Sequence, residues 1–381
     1  MQKYKILQYA PANSLLLREK NGSYQHLTPS AFVFLLLLQI EHLCVFCMNK
    51  IQNTLVSLTK MALFNSTSKL PVELSAKDYE KLYACAKQNG VLALCLDGIE
   101  TLPETVQPAK TLKIQWSANV ASIEKRYAQK EQALAMLLET FNQEKIACVV
   151  FKGFSISRLY PKPNHREFGD LDIFLFKDYM KGNTALRRKG INVHTDNRHH
   201  AQCRVNGVLV ENHVSFLHNS NSSFEKELEQ TAQKVRETQT ENPLYLPPLH
   251  HAAYVAHHAS QHFFTNDCNI RLRTICDWAA ILQGEGSEWK YSDLKRMLRH
   301  TREYRMADML TTVCHHWYGN VSHETRKRLA HFSARTERLF VKSIFAKKYQ
   351  RKDEKRKWVR YLGHLYKQIR FKPLRRSLSK K

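Results

Sequence analysis

Between residues 75 and 145 apolar positions recur every three or four residues. Tyr79, Leu82 and Tyr83 share one face of a stretch that Ser75 is placed to cap. Val91, Leu94, Cys95, Ile99 and Leu102 continue the spacing up to Pro103, and Val120, Ile123, Tyr127, Leu134, Leu137, Leu138 and Phe141 carry it along a third, long helix. The pattern then changes. Residues 147–151 are a continuous apolar run of strand length, ending at Lys152-Gly153. A helix is expected over 154–160, stopping at Pro161, then a strand over 171–176, a helix over 178–189 ended by Gly190, and a short strand over 191–195. Strands over 201–205 and 208–216 meet at Asn206-Gly207, a pair that favours the tight hairpin turn. From Phe224 the helical period returns, over about 224–236, 248–264, 270–282, 291–299 and 302–317.

This succession predicts an α+β fold, a small mixed-sheet core flanked by N-terminal and C-terminal helical segments. The expected units are a helical region over 48–145, an α/β core over 146–220, a helical domain over 221–345 and a tail over 346–381. Residues 1–47 read differently from the rest and are expected to be an atypical extension, with Met48 as an alternative start. The length of 381 residues suits two domains with extra tails. Only 12 Gly and 11 Pro argue against a loop-rich all-β fold.

No apolar run reaches the ~18–20 residues of a spanning helix; the longest, 31–38, stops at Gln39, Glu41 and His42. Nine scattered cysteines, an odd number, do not make a disulfide framework and fit a reducing cytoplasm. Cys44 and Cys47 form an isolated Cys-x-x-Cys without the second pair that a zinc site needs.

The net charge of +25 is unevenly spread, because residues 347–381 hold 15 Lys/Arg against 2 Asp/Glu. Trp358, Tyr361, Leu362, Leu365, Tyr366 and Ile369 recur there at helical spacing, so the segment reads as a basic amphipathic helix. Either its apolar face lies on the body of the protein, or the helix binds RNA or an anionic membrane surface.

The chemistry concentrates on acids. Asp170 and Asp172, in Gly169-Asp170-Leu171-Asp172, stand at i and i+2 of a strand and so share one face. Two acids on an apolar strand are costly unless a positive group lies between them, and Mg2+ with substrate phosphates meets that need. The alternative is an exposed pair balanced by Arg or Lys. Glu211 is the one acid of a second apolar strand, and His213 shares its face. If the strands adjoin, three carboxylates converge, the arrangement that holds two metal ions in phosphoryl transfer. Lys152-Gly153-Phe154-Ser155 lies where strand becomes helix, a place suited to phosphate. Arg166, four residues before Asp170, is within reach of the same phosphates.

Lys152-Gly153, Leu159-Tyr160-Pro161, Arg166, Gly169-Asp170-Leu171-Asp172 and Glu211-Asn212-His213 together resemble the uncharacterised nucleotidyltransferase family of the DNA polymerase β-like superfamily. The resemblance covers roughly 75–340. It implies metal binding by Asp170 and Asp172, with Glu211 as the third carboxylate, helping to activate an acceptor hydroxyl. It also implies that Lys152, Gly153, Ser155 and Arg166 face the triphosphate of an NTP. The chain departs from the superfamily in having Lys-Gly-Phe-Ser where a Gly-Ser turn is usual, and Glu as its third acid. The likeness extends to a histidine-bearing helix followed by an Arg-then-Asp helix, matched by Arg271, Arg273 and Asp277. His258 and His262 lie four apart on one helical face, but the Glu of a zinc protease motif is missing. His258, His262, Arg273 and Asp277 are therefore expected to be pocket or inter-domain hydrogen-bonding residues, and His213 either a pocket residue or a buried strand histidine. The reading is a two-metal Mg2+ nucleotidyltransferase with an unidentified acceptor. The alternatives are a non-catalytic relative that binds nucleotide or RNA, and a membrane-surface interaction protein using the basic tail.

Overall fold

The computed structural model describes residues 48–346, apart from 68–69, 71, 196–199, 218–221, 240, 266–269 and 300–302, together with 371–379 and three short strands near the N-terminus. Those strands, β1 (Lys5–Ile6), β2 (Leu15–Arg18) and β3 (Tyr24–Leu27), pair antiparallel. The Cys44-x-x-Cys47 motif and most of the basic tail, 347–370, lie outside the described residues.

Among the described residues, four α-helices precede the sheet. Helix α1 (Lys50–Phe64) opens on a reciprocal capping box between Asn49 and Gln52. Ser75 caps α2 (Ala76–Asn89), which Gly90 closes in the left-handed conformation, φ 66°. Helices α3 (Leu92–Glu100) and α4 (Lys110–Gln143) follow. Helix α1 packs against α3 at Gly98, where an added Cβ would lie 2.3 Å from the Leu58 carbonyl oxygen. The two backbones therefore touch, and only glycine fits. Gly98→Ala is expected to cost about 1–3 kcal/mol through overpacking, read as a lower denaturant midpoint. An unchanged midpoint would mean that the two helices part freely.

The central sheet runs β4 (Val149–Phe151), β5 (Leu171–Phe174), β8 (Val208–His213), β7 (His200–Val205), β6 (Val193–His194). The β5–β8 pair is parallel and the other pairs are antiparallel, so the sheet is mixed as expected. Asn206 (φ 50°) and Gly207 (φ 80°) make the β7–β8 hairpin turn. One face, carrying Cys148, Val150, Leu171, Ile173, Val210 and Cys203, packs in one apolar cluster with Leu134, Leu137 and Phe141 of α4 and Leu186 of α6 (Tyr179–Arg188). The opposite face carries Phe151, Asp172, Glu211 and His213 and looks toward the C-terminal helices. Chief among these helices are α7 (Ser223–Thr238), α8 (Pro248–Thr265), α9 (Leu272–Gly284), α10 (Tyr291–Met297) and α11 (Tyr304–Tyr318).

Several boundaries move. The helix expected over 154–160 shrinks to α5 (Gly153–Ser157), because three-residue turns from Leu159 to Ile156 and from Tyr160 to Ser157 close it ahead of Pro161. The strand expected to reach 176 leaves the sheet at Phe174, and Phe176 takes a left-handed φ of 55°. The strand expected to reach 216 ends at His213, because the Glu225 carboxylate takes the amides of Phe216 and Leu217. The periodicity singles out no separate helix at α1, α12 (His323–Arg328) or α13 (Ala334–Ile344), which lie within the spans 48–145 and 221–345 expected to be helical. The described end of the tail forms α14 (Lys372–Leu378), and it buries Leu374 and Leu378 beside Phe371. No helix among the described residues is long and apolar enough to cross a membrane.

Candidate active site

Parallel pairing of β5 with β8 sets Asp172 directly beside Glu211. His213, two residues on, shares their face. The ligand atoms of Asp172, Glu211 and His213 all lie within 4.8 Å of one another. Asp172 is 2% exposed. Its Oδ1 accepts from Lys152 Nζ at 2.7 Å and faces His213 Nε2 at 2.9 Å. Its Oδ2 has no hydrogen bond among the described residues. Gln202 donates to Glu211 Oε1 at 2.9 Å, and His200 Nε2 is 3.5 Å from the same oxygen.

The electrostatics follow from this crowding. The His213 imidazole, 3.6 Å from Glu211 Oε2, pulls the Glu211 carboxyl down to about 2, against the opposing effect of burial and with help from the His200 and Lys152 charges. Burial works against a charged Lys152, but Tyr254, Asp172 and Glu211 outweigh it and raise its pKa. Burial also opposes protonation of His213, and the Asp172 and Glu211 carboxylates beside it again prevail. Asp170 has the opposite balance: burial, then the Asp172 and Glu211 charges, raise its pKa, and Lys152 only partly offsets them. Asp170 lies outside the close Asp172–Glu211–His213 group but lines the same cleft, about 510 Å³ in volume.

Lys152 stands at the junction of β4 and α5 with φ 55° and ψ −124°, a conformation costly for any residue with a Cβ. This strained elbow accompanies the Lys152–Asp172 bond. At Gly153 an added Cβ would meet the Phe168 ring at 2.7 Å, so the glycine is demanded by aromatic packing. The turn expected to cradle phosphate puts Lys152 and Gly153 in the cleft lining, and α5, which it opens, is a single short turn of five residues. Ser155 is placed differently. It is buried, with Oγ 3.4 Å from His251 Nε2, and it does not line the cleft; His251 Nδ1 in turn faces Glu285 at 3.0 Å.

Arg166, expected at the phosphates, lines the cleft but is buried. Its guanidinium donates from Nε to Asp277 Oδ1 at 3.0 Å, from Nη2 to Asp277 Oδ2 at 2.9 Å and from Nη1 to the Gly153 carbonyl at 3.0 Å. Three of its five N–H donors are thus spent within the protein, and they join the core to α9. Asp277 also accepts from the Tyr160 hydroxyl at 2.7 Å.

His258, His262, Arg271 and Arg273 supply the facing wall from α8 and α9. His258 and His262 approach at 3.0 Å between their Nε2 atoms, and burial first of all pushes both pKa values down. Residue-by-residue reading missed His200 and Gln202. The period-2 signal was there for both, since Gln202 pairs in register with Glu211 and His200 with His213.

The donor set fits a hard divalent cation: carboxylate oxygens at Asp172 and Glu211, a third carboxylate lining the same cleft, and an Asp172 Oδ2 that takes no hydrogen bond among the described residues. A family model described as an uncharacterised nucleotidyltransferase matches residues 75–319. The chain belongs to the uncharacterised nucleotidyltransferase family. The matched span runs from the cap of α2 to the end of α11, and so contains every cleft residue named above. No curated protein and no solved structure matches the chain significantly.

Proposed function

We propose that the cleft transfers a nucleoside monophosphate from an NTP to an acceptor hydroxyl, releasing pyrophosphate, with Mg2+ as cofactor. The observation that carries this reading is the in-register pairing of Asp172 with Glu211 on the cleft face, Asp170 lining the same cleft. These three carboxylates would hold two magnesium ions, which supply charge neutralisation at the phosphates when bound. Glu211 is the group assigned to help activate the acceptor. Lys152 fixes the orientation of Asp172 through its 2.7 Å bond and adds positive charge beside the reacting phosphate. The buried thiols of Cys95, Cys148, Cys276 and Cys314 are free, which suits a cytoplasmic setting.

A second reading has its own observation. Lys152 and His213 already serve the charge of Asp172, as they would in a relative that binds nucleotide without turnover. Incubation with each NTP, Mg2+ and a cell extract, followed by mass spectrometry for a gained nucleotide, separates the two. A nucleotidylated product that vanishes in chelator supports transfer. Mg2+-dependent NTP binding with no product in any fraction supports the binding reading.

A further inference from the structure

Four lysine and arginine side chains line the cleft, Lys152, Arg166, Arg271 and Arg273, and they are not equally available. Lys152 is held by Asp172 and Arg166 by Asp277. Arg271 stands at the N-cap of α9 in extended backbone, partly exposed, and its guanidinium has no hydrogen bond or ion pair among the described residues. Arg273, two residues on, spends only Nη1, on the Glu167 carbonyl at 2.7 Å. The closely packed backbone at Gly90 backs that same nitrogen, since an added Cβ there would lie 3.3 Å from it. Arg273 is thus held in place with Nε and Nη2 unspent.

The cleft is therefore bipolar. Asp170, Asp172 and Glu211 line the end of the sheet, and two underused guanidiniums stand on the α9 wall. Burial, reinforced by the Arg166 and Arg271 charges, works against Arg273 carrying its own charge, and Asp277 offsets this only in part. Such a wall lacks an anion. A ligand that spans both walls must present oxygens to metal ions at one end and further anionic oxygens to planar guanidiniums at the other, which is the chemistry of a metal-bound polyphosphate.

We propose that Arg271 and Arg273 form the polyphosphate clamp of this cleft, gripping the terminal phosphates of the triphosphate from the helical side. The inference rests on the nucleotidyl-transfer reading and deepens it. It moves the phosphate contacts from the Lys-Gly-Phe-Ser turn and Arg166 to α9. Discrimination among tri-, di- and monophosphates then belongs to α9, independent of the base.

The test is calorimetric titration of the full chain with inorganic tripolyphosphate, pyrophosphate and orthophosphate, with and without Mg2+. Only the Mg2+-dependent component is compared, because the basic tail binds anions without metal. Wild type should prefer tripolyphosphate to pyrophosphate to orthophosphate. Arg271→Gln and Arg273→Gln should each weaken Mg2+-tripolyphosphate binding about ten- to a hundredfold, the range of a lost charge-assisted hydrogen bond. Arg271→Lys should fall between, since an ammonium restores charge but not the fork. Arg271 has no partner to lose among the described residues, so its variants test the clamp even if Arg273→Gln fails to fold. Wild-type affinity in Arg271→Gln overturns the clamp and leaves nucleotidyl transfer standing. Absence of any Mg2+-dependent tripolyphosphate or NTP binding in wild type overturns both.

Discussion

Asp172→Asn should abolish Mg2+-dependent NTP turnover, with a loss on the order of 10²–10³-fold or more, and Glu211→Gln should do the same. The two side chains are nearest neighbours across the parallel β5–β8 pair, so either amide breaks the same oxygen set. Their effects on stability should differ from that of Asp170→Asn. Asp172 holds the partly buried Lys152 ammonium and faces His213, so its neutral form leaves that charge poorly compensated. A cost of roughly 1.5–3 kcal/mol is expected from a weakened charge-assisted bond. Asp170 carries a raised pKa, from burial and its acidic neighbours. Its folded pKa lies above the unfolded value, so ionisation at neutral pH costs stability, and Asp170→Asn should leave the melting temperature equal or higher. Thermal melts without metal, beside turnover assays, separate the effects. Full turnover in both Asp172→Asn and Glu211→Gln would remove the catalytic assignment. A more stable Asp172→Asn would mean that the Lys152 bond contributes nothing.

The sheet was legible because its signals are local. Alternation through Gln202–His213 and the Asn206-Gly207 turn specify a hairpin, and apolar runs with an acid at every second place specify strands with one chemical face. The convergence of Asp172 and Glu211 follows once β5 and β8 adjoin, and strand pairing supplied that. The partner of Arg166 was not legible. Nearby carboxylates, Glu167 and Asp170, are close in sequence, yet the guanidinium crosses 111 residues to Asp277, because burial leaves it no water and demands a bidentate acceptor. The His251 partner of Ser155 was hidden for a related reason: a five-residue helix places its hydroxyl by the packing of α8, not by its own periodicity. Strand ends were misplaced wherever a side chain competed for backbone amides, as Glu225 does at Phe216 and Leu217. Contacts made by tertiary packing between distant segments leave no mark in a local pattern.

Arg166→Ala should act on folding rather than on phosphate. The Arg166–Asp277 pair is bidentate and buried, at 3.0 and 2.9 Å, and the same arginine secures the Gly153 carbonyl while Asp277 also holds the Tyr160 hydroxyl. Removing one partner of such a pair leaves a desolvated charge, which typically costs about 3–5 kcal/mol. In a chain of this size that lowers the melting temperature by on the order of 10 °C. Asp277→Ala should cost a similar amount, since it strands the guanidinium and the tyrosine together. The double variant Arg166→Met with Asp277→Leu should lose less than the two single variants combined, because neither charge is then left alone; the cycle reads the coupling directly. Mg2+-dependent tripolyphosphate binding by the folded fraction of Arg166→Ala should match wild type. A variant that melts like wild type but binds tripolyphosphate at least tenfold more weakly would reverse this assignment. It would return Arg166 to the phosphates and leave Asp277 as the partner that phosphate displaces.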